Sequence, residues 1–129
     1  VHSRLGEPRK TLEYYDKAFA LNQLTGDKRG IALTKSNMAS TYERLGEYER
    51  ALELLEETIK GYREIGNNSE GVALGNLGTL LRNLGDDEQA LEKYNQSLAI
   101  RQKIKDRRGE AVVLANIGAI FQDRNELAK

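Results

Sequence analysis

Asn76-Leu77-Gly78-Thr79-Leu80-Leu81-Arg82-Asn83-Leu84-Gly85-Asp86 decides the fold, because its landmarks, continued by Ala90 and Tyr94, return along the chain at a nearly constant interval. The glycine-acid pairs Gly6-Glu7, Gly46-Glu47 and Gly85-Asp86 stand 40 and 39 residues apart, and Asn125-Glu126 follows after another 40. A period in the range of about 20 to 50 residues is the mark of a supersecondary unit that buries its apolar face only against copies of itself. The unit here predicts an all-α fold, an α-solenoid of stacked antiparallel helix pairs. A single array, 1–129, then divides into a partial repeat 1–26, full repeats 27–66 and 67–105, and a partial repeat 106–129.

Each aligned column has a physical reason. Ala39, Gly78 and Gly118 in the first helices are small and are expected to face Thr11, Ala51 and Ala90 in the second helices, where bulk would hold the axes apart. Large residues recur at three and four spacings: Met38, Leu77 and Ile117, then Tyr42, Leu81 and Phe121, and on the second helices Tyr15, Leu55 and Tyr94 with Phe19, Ile59 and Leu98. That spacing places them on one helical face and predicts a core rather than a cofactor pocket. Gly71, Gly75 and Gly78 form a GxxxGxxG string inside a helix, following no strand, so close helix contact is expected of them and not phosphate binding.

The punctuation agrees. Gly6, Gly46 and Gly85 follow leucines where a helix needs a left-handed residue to stop, and Asn125 stands in for glycine at that column. Pro8 falls just inside a helix start, and Glu7, Glu47, Asp86 and Glu126 put negative charge at the positive end of a helix. Asp27, Asn68 and Asp106, three residues before Gly30, Gly71 and Gly109, are expected N-caps. Helices are predicted over 9–24, 28–45, 48–65, 69–84, 87–104 and 107–124.

At this level of detail the residues resemble the tetratricopeptide repeat family. Leu77, Gly78, Leu81, Gly85, Ala90 and Tyr94 match its pattern in one unit, and Met38, Ala39, Tyr42, Gly46, Tyr48, Ala51 and Leu55 in another. The family's tryptophan and terminal proline are missing, and the period exceeds the usual thirty-four by five or six residues, more than one helical turn. Such long repeats are similar to those of kinesin light chains, of signalling modulators with Leu-Gly-Asn repeats, and of many prokaryotic sensors. The resemblance implies a right-handed superhelix that binds protein or peptide in its concave groove.

Composition narrows the functions further. Twenty basic and twenty acidic residues cancel, so no electrostatic footprint for a phosphate backbone is present and nucleic acid is not an expected partner. No apolar run approaches the roughly twenty residues of a membrane span, and no membrane partner is expected. Cysteine is absent, which removes thiolate chemistry and disulfides. The single histidine, His2, has no fixed companion for acid-base or metal work. Glu56-Glu57 and Asp86-Asp87 are adjacent carboxylates expected on a solvated face or a cap. The chain is therefore expected to be no enzyme, to need no cofactor or metal, and to work in the cytoplasm.

A polar column remains. Asn37, Asn76 and Asn116 each precede the large-small pair of a first helix, and a carboxamide both donates and accepts, so it can grip an extended main chain without demanding a sequence. In the family that these residues resemble, asparagine at this column holds ligand main chain; otherwise it bonds to a neighbouring helix. Ser40, Arg44, Thr79, Arg82 and Asn83 complete the expected peptide-binding set. Arg44 and Arg82, with Arg4, suit acidic side chains or a C-terminal carboxylate, and a ligand-sensing module of a larger signalling protein is the alternative. Both end repeats are incomplete, and with no polar capping helix the chain is expected to be a fragment of a longer array or to self-associate through its terminal helices.

Overall fold

The computed structural model describes residues 6–128, with side chains placed from 7 to 125; His2, Arg4, Leu5 and the Glu126 side chain lie outside the described residues. Among the described residues there are six helices and no strand: α1 (Gly6–Thr25), α2 (Lys28–Arg44), α3 (Tyr48–Glu64), α4 (Glu70–Asn83), α5 (Asp87–Lys103) and α6 (Arg107–Ala128). They form two compact units, residues 1–67 and 68–129. The first holds α1 and the pair α2–α3, and the second holds the pair α4–α5 and α6. In each, the two helices of a repeat pack more tightly together than the pair packs on its third helix.

The ends of α1 to α5 follow one rule. Gly26, Gly46, Gly66 and Gly85 take φ of +70, +78, +66 and +89°, and Lys105 takes +60°. After Gly46, Glu47 N–H donates to Tyr42 C=O at 2.9 Å and Gly46 N–H to Glu43 C=O at 3.0 Å, and the same pair of bonds closes the helices at Gly26, Gly66, Gly85 and Lys105. This double closure satisfies carbonyls that the helix leaves open, and it needs the left-handed residue. Gly46 and Gly85 were expected; Gly26, Gly66 and Lys105, which end the second helices, are the structure's addition.

Starts match less uniformly. Asp27 and Asp106 accept from Gly30 N–H at 2.9 Å and Gly109 N–H at 3.0 Å, as the caps predicted. Asn68 is not a cap: α4 starts at Glu70 behind Ser69, and Asn68 uses its backbone carbonyl to accept from Gly71 N–H at 3.2 Å. Gly6 is the first described residue of α1 and is itself helical, not the stop that its column predicts. Asn125 does not stop α6, which runs on to Ala128. Asparagine permits the left-handed conformation without imposing it, and each added helical residue gains a hydrogen bond.

The core of each unit lies between the helices of its repeat. Ala39, Ala51 and Leu55 are buried in the first, and Gly78, Ala90, Leu77 and Tyr94 in the second. A buried hydroxyl ties each pair: Thr58 donates to Ala32 C=O at 3.4 Å and Ser97 to Gly71 C=O at 2.7 Å. Two expectations fail on α6. Phe121 is 53% exposed rather than core, and Gly118 has nothing within 4 Å of where a Cβ would sit. The stripe Val113, Ile117 and Ile120 turns inward instead, so only one of the two apolar faces of α6 is covered.

Candidate partner-binding surfaces

Asn76, Thr79 and Asn83 stand at i, i+3 and i+7 on α4, which puts them on one helical face, and all three are exposed. Thr79 is already engaged, since its hydroxyl shares a 2.7 Å hydrogen bond with the phenol of fully buried Tyr94 and donates to Gly75 C=O at 3.2 Å. A buried phenol needs such a partner, so Thr79 completes the packing of Tyr94. Arg82 is engaged too: its guanidinium donates to Asp123 of α6 at 2.7 Å. Asn116, on α6, is half-buried. The α4–α6 face thus carries an exposed carboxamide, a half-buried one and a cross-helix ion pair. Arg124 adds a second tie, reaching Asp87 at 3.6 Å and Glu88 at 2.5 Å at the start of α5.

In the first unit, Asn37, Ser40 and Arg44 have the same i, i+3, i+7 spacing on α2 and are exposed. The Asn37 carbonyl accepts from the Thr41 hydroxyl at 3.2 Å. Beside them, burial pushes the Glu43 carboxyl above its usual value. Tyr42 lies under the Arg50 guanidinium, 5.8 Å from the ring centre, at the mouth of an open cleft of ≈ 630 Å³ shared with Glu47, Tyr48, Glu49 and Glu53.

Sequence reasoning missed a second hollow of ≈ 300 Å³ between α2 and α3, where Lys35 and Glu57 pair at 3.9 Å over Ala32 and Gly61. Its cause is legible afterwards, because Gly61 aligns with Ile100, which fills the same place in the other pair. No group of three or more His, Cys, Asp or Glu side chains with metal-holding geometry occurs among the described residues. No helix among them is long and apolar enough to cross a membrane.

Residues 1–64 and 69–129 match the family model described as tetratricopeptide repeat. The 43 kDa receptor-associated protein of the synapse from Tetronarce californica is similar to this chain, 30% identical over 99 residues that make up 76% of this chain and 24% of that protein. The crystal structure of BtubC (BKLC) from P. vanneervenii superposes with a TM-score of 0.81 at 23% identity, covering 93% of this chain and 51% of that one. The chain spans about a quarter of the curated relative and half of the solved structure. The structural likeness shows the fold, an all-α solenoid of antiparallel helix pairs.

Proposed function

We propose that this chain, which belongs to the tetratricopeptide repeat family, is a protein-interaction scaffold whose first helices hold a segment of a partner polypeptide through the asparagine column. The observation that carries the reading is the α4–α6 face. There Asn76 is exposed and Asn116 half-buried, and the Arg82–Asp123 bond ties the two helices that present them. Carboxamides on neighbouring helices can each donate and accept, which suits the amide groups of an extended chain. In the first unit, Asn37 stands at the same column of α2 and is exposed. The cancelling charges support a polypeptide ligand over a polyanion. Because Arg82 is already paired, an acidic ligand group would have to compete with Asp123, which favours main-chain recognition over charge.

The test is selection from a randomised peptide display library, followed by NMR mapping of the selected peptide. Shifts centred on Asn76 and Asn116 are expected. Asn76→Ala with Asn116→Ala should weaken binding about tenfold or more, since losing one partner of a buried hydrogen bond costs about 1–3 kcal/mol. Perturbations confined to α3 and α5, or unchanged affinity in the double variant, would reject the column as the site.

A further inference from the structure

The hollow between α2 and α3 lies where the second pair holds an apolar plug. At an offset of 39 residues, Lys35 and Gly61 align with Leu74 and Ile100. Leu74 is buried, and the Ile100 side chain comes within 3.2 Å of where a Cβ on Gly71 would sit. In the first pair, a Cβ on Gly61 would meet the Ala32 methyl at 3.3 Å and no other neighbour within 4 Å. The missing branched side chain leaves the ≈ 300 Å³ space, inside a repeat whose two helices are both described from end to end.

Charge rims this space. Lys28, Lys35 and Lys60 surround it with Glu57 and Glu64, whereas the second pair has Asn67, Leu74 and Ala99 at the three lysine columns. Lys35 is engaged, its ammonium 3.9 Å from Glu57 and 5.7 Å from the centre of the Phe19 ring. Lys28, Lys60 and Glu64 form no ion pair among the described residues, so three lysines against two glutamates leave one positive charge uncompensated. We propose that the hollow binds a monocarboxylate carrying a branched aliphatic chain. The chain takes the place that Ile100 fills in the second pair, where its burial supplies the apolar part of the affinity. The carboxylate meets Lys28 and Lys60 in charge-assisted hydrogen bonds. A volume of this size stands at the low end of small-molecule sites, and none of the residues around it belongs to the asparagine column. Both a free branched-chain acid and the C-terminal isoleucine of a polypeptide carry this chemistry.

Titration of the 129-residue chain with 3-methylpentanoate, which carries isoleucine's branched group, reads the site through amide NMR shifts. Saturable shifts are expected at Ile31, Ala32 and Gly61. The uncharged 3-methylpentanamide and the unbranched acetate should each bind about tenfold more weakly or less well still. N-acetyl-isoleucine separates the two sources: binding tighter than the free acid assigns the site to a chain terminus, and weaker binding assigns it to a free acid. Gly61→Ile should fill the seat and weaken binding about tenfold or more, with helical circular dichroism retained. Since its Cβ would crowd Ala32, the double variant Ala32→Gly with Gly61→Ile, which installs the second pair's combination, repeats the test without the crowding. Lys28→Gln with Lys60→Gln should lose about tenfold in affinity for the acid and leave the amide unaffected. Three results overturn the proposal: no saturable shift up to about 10 mM 3-methylpentanoate, acetate binding as well as 3-methylpentanoate, or undiminished binding in the folded double variant.

Discussion

The two full repeats solve one packing problem with opposite residues. In the α2–α3 pair the small column holds Ala39 and the aromatic column Leu55; in α4–α5 they hold Gly78 and Tyr94. Further along, Ala32 stands opposite Gly61 in the first pair, and Gly71 opposite Ile100 in the second. Where one helix gives up a side chain, its partner gains one, and the sum is kept near constant, as close packing demands. The first pair does not compensate fully at Gly61, and the ≈ 300 Å³ hollow under Lys35 and Glu57 is the result. A repeat is thus conserved as a volume shared between helices, not residue by residue.

Glycine separates the two pairs most sharply. A Cβ on Gly78 would lie 2.8 Å from the Tyr94 ring, and Tyr94 is fully buried and cannot withdraw. Overpacking costs about 1–3 kcal/mol, and alanine's helix preference returns at most about 1 kcal/mol, so Gly78→Ala should lose stability by denaturant unfolding. Adding Tyr94→Leu, which installs the first pair's solution, should make the double variant more stable than the sum of the single effects; strict additivity would break the shared-volume account.

Next in size is the end of the second helix. Gly66 closes α3 and Lys105 closes α5 in the same left-handed conformation, with φ of +66° and +60°. Only the lysine carries a Cβ that this conformation penalises. Lys105→Gly should stabilise the chain by about 1 kcal/mol and Gly66→Lys destabilise it similarly, read as opposite shifts of the unfolding midpoint.

A third contrast sets Gly118 against Gly78. Because the Gly118 position is open, Gly118→Ala should stabilise the chain by about 0.5–1 kcal/mol, the helix preference alone. A loss would mean that something occupies the space.

The smallest effect concerns Glu43, whose column is Arg82 in the second pair. Burial raises the Glu43 carboxyl above its ordinary value. A raised acid holds its proton more tightly in the folded state, so its cost is absent below the ordinary carboxylate range and grows as pH rises through the folded value. Glu43→Gln should therefore stabilise the chain at neutral pH, with the gain vanishing as pH falls below that range. Equal gains at acid and neutral pH would assign the effect to packing instead.

Much of this was legible beforehand. The six helices, their period, the caps at Asp27 and Asp106, and the stops at Gly46 and Gly85 all follow from residues within a turn or two of the feature. Asn68 misled because glycine three residues on resembles the other caps, whereas Ser69 delays α4 until Glu70. Of the expected binding residues, Asn37, Asn76, Ser40, Arg44 and Asn83 are on exposed faces and Asn116 is half-buried. Thr79 and Arg82 also have structural partners, Tyr94 and Asp123, 15 and 41 residues away.

The sequence by itself determined the helical repeat, because hydrophobic period, capping carboxylates and left-handed glycines act locally and recur at 39 to 40 residues. Only the tertiary structure decided which apolar columns are covered, why Phe121 is exposed while Tyr94 is not, and which partner each polar side chain takes. Burial and pairing depend on what a second helix brings to the same space, and two columns identical along the chain can have different neighbours across it.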